Sequence, residues 1–350
     1  MSQTPYYYYD PFGKRPPSQG GLGVARILLT VVALLAIGLV AIISMLRLGL
    51  LGAEGGDGRR VTDMVYPAGF VGQLEQPGGG EWLLPFDALR IGSDTFVLDS
   101  GNGRILKLGA DGTIAAILDR SSDPNLDLKR PMAMATDGQR LYVANSPASQ
   151  VLVVSPSGRV EKVLGLEPSS AGEEPPRPIG IAVTPAGTVL VSDAENHRVL
   201  ELDSSGRLVH AFGTGTRVGG GGGFNVPGAL AVDALGNIYV VDILNARVVE
   251  LSADGVFIRQ FGARGEAAGS FLRPKGVAVD GDGRVFVSDG MLAAVQVFAP
   301  DGSYLGFIGR REPADPESPS VFKAPGGLWL EGDTLLIMDR FAGLTTYALP

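Results

Sequence analysis

Six times along this 350-residue chain a proline opens a short apolar run: PFDALRI from Pro85, PMAMATD from Pro131, PIGIAVT from Pro178, PGALAVD from Pro227, PKGVAVD from Pro274 and PGGLWLE from Pro325. The spacings are 46, 47, 49, 47 and 51 residues, and this period constrains the fold more than any other feature of the sequence. Fourteen or fifteen residues after each proline a second apolar run ends in Asp or Asn, at Asp99, Asn145, Asp193, Asp242, Asp289 and Asp339. A third run follows (RILKL, QVLVV, RVLEL, RVVEL, AVQVF, TTYAL), and in the first five units a fourth comes after turns such as Asp111-Gly112 and Asp301-Gly302. Glycine tolerates the positive φ that tight hairpins need. With 51 Gly and 24 Pro, the composition suits many short strands joined by turns. Four antiparallel strands per period make one propeller blade, which cannot bury both faces alone. The expectation is an all-β, six-bladed β-propeller of four-stranded antiparallel blades.

Each recurring residue has a physical reason. The proline stands at the start of the innermost strand, where its missing N–H loses no ladder bond. Small residues two positions on (Ala133, Gly180, Ala229, Gly276, Gly327) suit a crowded centre where six strands converge; Asp87 is the one exception. An Arg five residues after the Asp (Asp99/Arg104, Asp193/Arg198, Asp242/Arg247) can pair across the turn, and the Asp can also accept backbone N–H bonds there. The other three units have Gln150, Ala294 and Leu344 at that spacing, so the pairing is not obligatory.

The run Asn196-His197-Arg198-Val199, inside DAENHRVLEL, resembles the Asn-His-Leu motif of the NHL-repeat family. GSFLRPKGVAVD and GFNVPGALAVD are similar to the same repeat, and the resemblance covers residues 61–350. It implies a six-bladed propeller and gives Asn196 and His197 a place in the repeat.

The third run of the sixth unit reaches the last residues of the sequence, which leaves that blade one strand short. Residues 61–74 precede the first inner strand and show apolar alternation. They are expected to supply the missing outer strand and so remove a free sheet edge. Ahead of the propeller, residues 27–46 (ILLTVVALLAIGLVAIISML) run for twenty positions without a charge, long enough to span a bilayer core as a helix. The domain expectation is therefore a Tyr/Pro/Gly-rich disordered tail over 1–23, a single transmembrane α-helix with its flanks over 24–51, a linker over 52–60 and the propeller over 61–350. A short N-terminal tail favours its retention inside, which places the chain at the plasma membrane as a single-pass protein with an extracytoplasmic propeller.

Charge narrows the partners. The chain carries a formal −8, while residues 1–60 hold six Lys/Arg against three acids, so the propeller itself is strongly acidic. That repels phosphate backbones and argues against nucleic acid. With no Cys, disulfides and thiolate chemistry are excluded. The long loops that enter the blades (119–130, 165–177, 213–226, 262–273, 309–324) share a face with the Asp/Asn turns, and that face is the candidate binding surface. Arg130, Arg177, Arg273 and Lys275 flank the strand-starting prolines, with Lys323 nearby, and can ring the channel mouth as an anion site. Asp87 is the one acid at the crowded inner position.

The resemblance also brings enzymes into view, because similar propellers include multi-His zinc lyases and lactonases with a Glu/Asp/Asn-bound metal. The two His here, His197 in the repeat motif and His210 in an outer run, cannot form a multi-His site. No acid set recurs at matching strand starts, and the five-Gly run 219–223 lacks the Lys-Ser/Thr of a phosphate loop. No metal, cofactor or catalytic residue is therefore assigned. The expected role is a membrane-tethered binding or scaffold module for a protein, peptide or glycan, with a metal-dependent propeller hydrolase or lyase of lactonase type as the alternative.

Overall fold

The computed structural model describes residues 65–75, 82–217, 223–309 and 321–350. The tail, the 27–46 segment and the linker lie outside the described residues. Among those that are described, no helix is long and apolar enough to cross a membrane.

Blade 1 comprises β2 (Pro85–Ile91), β3 (Asp94–Asp99), β4 (Arg104–Leu108) and β5 (Ile114–Leu118). Blade 2 comprises β6 (Ala133–Thr136), β7 (Leu141–Asn145), β8 (Gln150–Val154) and β9 (Val160–Gly165). Blade 3 is β10 (Pro178–Val183), β11 (Val189–Asp193), β12 (Arg198–Leu202) and β13 (Leu208–Phe212). Blade 4 is β14 (Pro227–Val232), β15 (Ile238–Asp242), β16 (Arg247–Leu251) and β17 (Phe257–Phe261). Blade 5 is β18 (Pro274–Val279), β19 (Val285–Asp289), β20 (Ala294–Phe298) and β21 (Tyr304–Ile308). Blade 6 is β22 (Pro325–Glu331), β23 (Thr334–Asp339), β24 (Gly343–Ala348) and β1 (Gly69–Leu74). Every pairing within a blade is antiparallel, and the fold is an all-β six-bladed propeller.

The sixth sheet runs in the order β1-β24-β23-β22. Gly69 pairs with Ala348 and Leu74 with Leu344, so a strand from the start of the domain completes the blade formed at its end. This seam joins the two ends of the sheet array and leaves no blade with an unpaired third strand.

Two local features depart from the sequence reading. In blade 2 the strand begins at Ala133, two residues past Pro131, because Met132 N–H already bonds Ala144 O at 2.9 Å outside the regular ladder. In blade 6 the turn is one residue shorter than in the others. Asp339 faces Gly343, not Leu344, which pairs with Met338 on one side and Leu74 on the other. A Cβ at Gly343 would stand 2.3 Å from Leu74 O, so the short turn and the close approach of β1 both require glycine there.

Alternate residues of each strand pack between blades. Leu89, Phe96 and Leu98 of blade 1 form one core cluster with Leu141, Val143 and Leu152 of blade 2. Tyr239, Val241 and Val248 of blade 4 pack likewise with Val277, Val285 and Phe298 of blade 5. At the centre the inner strands contact one another around the ring. A Cβ added at Gly180 would lie 2.1 Å from Gly228 O, and one at Gly276 would lie 2.3 Å from Gly326 O. At Gly180 and Gly276, glycine is thus required by backbone contact between neighbouring blades.

Candidate functional site

The turn after the second strand of each blade shapes one face of the ring, and the motif Asp or Asn holds it together. All six of these side chains are fully buried. In blade 1, Asp99 accepts the Leu83 N–H at 2.7 Å from the entering loop, Asn102 Nδ2 at 2.8 Å and Arg104 Nε at 2.7 Å. Asp193 accepts Arg177 N–H, Asn196 Nδ2 and Arg198 Nε, and Asp242 accepts Asn225 N–H, Asn245 Nδ2 and Arg247 Nε.

Blades 5 and 6 lack the arginine, and backbone takes its place. Asp289 accepts the N–H groups of Leu272, Arg273, Met291 and Leu292. Asp339 accepts those of Lys323, Ala324, Phe341 and Ala342. In blade 2, Asn145 accepts Lys129 N–H and donates to Asp127 O. A buried carboxylate needs donors at both oxygens, and all five Asp residues find them, while Asn145 holds its loop with one acceptor and one donor. Since that acceptor capacity is used internally, these residues clamp the entering loop to the turn.

His197 belongs to the same device. It occupies the left-handed position of its turn at φ 53°, the place taken by Gly103, Ser149, Ala246 and Ala293 elsewhere. Its Nδ1 accepts the Val226 N–H at 3.1 Å, and the Arg217 guanidinium stands 3.1 Å from Nε2. Burial, then the Arg217 charge, lowers its pKa below the usual imidazole range. His210 is on the outer strand of the same blade, exposed, with Nδ1 2.8 Å from Glu201.

The cations picked from sequence divide into two groups. Arg177 turns to Glu195, at 3.1 Å, and is half-exposed. Arg130 is exposed, at φ 53°, and its neighbour Asp127 pairs with Arg120 and Lys129 instead. Arg273 and Lys275 converge with Arg340 on one cavity of about 110 Å³, walled by Phe86, Met291 and Pro325. Burial lowers the Lys275 pKa, and the neighbouring charges of Arg273 and Arg340 lower it further. The Arg340 guanidinium lies 5.8 Å from the Phe86 ring and 5.6 Å from that of Phe341, a cation–π arrangement.

A larger cleft of about 640 Å³ opens beside it, lined by Gln73, Glu75, Trp82, Lys323, Phe341 and, again, Arg340. Sequence reasoning missed Arg340. The available signal was its position directly after the motif Asp, where the other blades carry Ser100, Ser146, Ala194, Ile243 and Gly290.

Asp87 has a separate role. Its two oxygens accept Met134 N–H at 2.9 Å and Ala88 N–H at 3.0 Å, so it ties the inner strand of blade 1 to that of blade 2. Its Oδ1 also lies so close to Gly327 that a Cβ there would stand 2.2 Å away. Enclosure among these strands pushes the carboxyl up to about 7, although the two amides pull the other way. Among the described residues no three His, Asp or Glu side chains come together in a way that could hold a metal ion.

Comparison with known proteins agrees with this architecture. Residues 176–202 match the NHL repeat model. No curated protein matches the sequence. Among solved structures, a catalytically inactive virginiamycin B lyase from Staphylococcus aureus, crystallised with quinupristin, is similar at 13% identity and TM-score 0.58, over 80% of this chain and 99% of that one. A gluconolactonase from Xanthomonas campestris is similar at 17% identity and TM-score 0.58, over 85% and 99%. A chain of the nidogen–laminin complex is similar at 16% identity and TM-score 0.50, over 65% and 80%. At these identities the likeness is one of fold. The repeat match, the six sheets and the clamped turns together describe a β-propeller of NHL type.

Proposed function

We propose that this propeller is a binding module, tethered to a membrane by residues 27–46, that presents its loop-rich face to a protein, peptide or glycan. The observation that carries the reading is the convergence of Arg273, Lys275 and Arg340 on one cavity beside Phe86 and Met291. Cations held against apolar walls, with one lysine partly desolvated, form a surface built to receive an anionic group. The tether rests on the charge-free run alone.

A metal-dependent hydrolase or lyase of lactonase type draws support from the gluconolactonase likeness, which is of fold only. It needs several acids or His around one point. Asp87, the acid at the inner position, is committed to two amides.

Three experiments test the proposal. The detergent-solubilised full chain is applied to peptide and glycan arrays beside an Arg340→Glu/Lys275→Glu variant. Ligands lost by the variant support the reading, and ligands retained equally by both contradict it. In the same preparation, a melting temperature raised by a divalent ion would favour the hydrolase instead. Alkaline washing of membranes should leave the chain in the pellet, and its release would refute the tether.

A further inference from the structure

The loop-rich face is not uniform, and its asymmetry indicates the chemistry of its ligand. At the second residue after each motif Asp or Asn, blades 1–3 carry Gly101, Pro147 and Glu195, whereas blades 4–6 carry Leu244, Met291 and Phe341. These last three are 49%, 64% and 63% exposed. Leu83, whose carbonyl accepts the Gly101 N–H on the same face, is exposed by 49%. The position does not require an apolar side chain, since the turn closes equally well on Pro147 and Glu195. Large apolar groups therefore stand in water at the same turn position of three successive blades, where the fold does not demand them.

Cations also gather on this half, although Arg130 stands exposed on the other. Arg273, Lys275, Lys323 and Arg340 lie on this half, and the two cavities they line share Arg340 and Pro85 and so form one trough. The nearby carboxylates Asp289 and Asp339 are consumed by four backbone amides each. Apart from Glu75, what the trough offers through its side chains is largely donors and cations. The smaller cavity, about 110 Å³, is well below the several hundred Å³ of a small-molecule pocket and fits one side-chain terminus of a larger ligand.

We infer that the face of blades 4–6, with Leu83 beside it, binds an extended acidic peptide segment of a partner protein, its carboxylates on Lys275, Arg340 and Lys323 and its apolar side chains against Met291 and Phe341. This rests on the binding-module reading and narrows it to one chemistry. Carboxylate on arginine supplies charge-assisted, directional bonds, and the exposed apolar arc supplies area that a sugar would not cover as well.

The test is fluorescence anisotropy on the detergent-solubilised full chain with short labelled peptides: one alternating Glu and Leu, one Gln and Leu, one Glu and Ser, together with a labelled oligogalacturonate. The Glu/Leu peptide should bind tightest, with the other two peptides and the sugar each roughly tenfold weaker or more. Arg340→Gln and Met291→Ser should each weaken Glu/Leu binding by about tenfold. Pro147→Ser and Glu195→Gln, on the other half, should leave it unchanged. Equal binding of the Gln/Leu or Glu/Ser peptide, tighter binding of the oligogalacturonate, equal losses from both halves, or no binding of any peptide each overturns the inference. In the last case, array ligands lost on Arg340→Glu/Lys275→Glu would still uphold the broader reading.

Discussion

Blades 1–3 and blades 4–6 carry the same Asp or Asn clamp, on a turn one residue shorter in blade 6, yet they offer different surfaces. In the first half the face shows Gly101, Pro147, an exposed Arg130 and an Arg177–Glu195 pair. In the second it shows Leu244, Met291 and Phe341 in water beside cations gathered on one cavity. What the halves share is demanded by the fold: buried Asp or Asn clamps in every blade and, in blades 1–5, a left-handed position before the third strand. What they do not share is free of that demand, and so carries information about a ligand.

The comparison can be broken at its shared side first. Asp289→Ala would leave four N–H groups without acceptors, and should cost about 4 kcal/mol or prevent folding, read by denaturant unfolding. A loss under about 1 kcal/mol would mean the clamp is not structural.

Asp87 comes next. Its carboxyl is raised from 3.8 to about 7, so the native state holds the proton more tightly than the unfolded chain. Its contribution to stability is fully present below pH about 4 and is lost as pH rises through about 7, amounting to a few kcal/mol and at most about 4. Asp87→Asn should flatten that part of the pH–stability curve, and an unchanged slope would refute the assignment.

Asn145→Ala loses two hydrogen bonds rather than four and should cost about 2 kcal/mol, less than the Asp289 change. Smallest of all, Phe341→Ser, at an exposed display position, should shift stability by no more than about 0.5 kcal/mol. A large loss there would show that the apolar arc serves packing and not recognition.

The period, the six sheets and the clamp residues were legible in the sequence because each is a local pattern repeated in phase. The small inner residues were legible for the same reason, and contacts such as Gly276 against Gly326 O supply the cause. Features set by distant contacts were not legible. The tie from Asp87 to Met134 joins adjacent blades one repeat apart, and the short sixth turn answers to β1 near the start of the domain. A ring of cations could be read from positions beside the prolines. Which of them meet depends on partners such as Glu195, and on Arg340, whose residue type breaks the repeat where it stands.

The two halves are separated most directly by amide hydrogen exchange on the full chain, with and without the Glu/Leu peptide at saturation. Slowed exchange confined to residues 290–292, 323–324 and 340–342 is the expected result. Protection spread evenly around the ring, or centred on 100–102, 146–148 and 194–196, would contradict it.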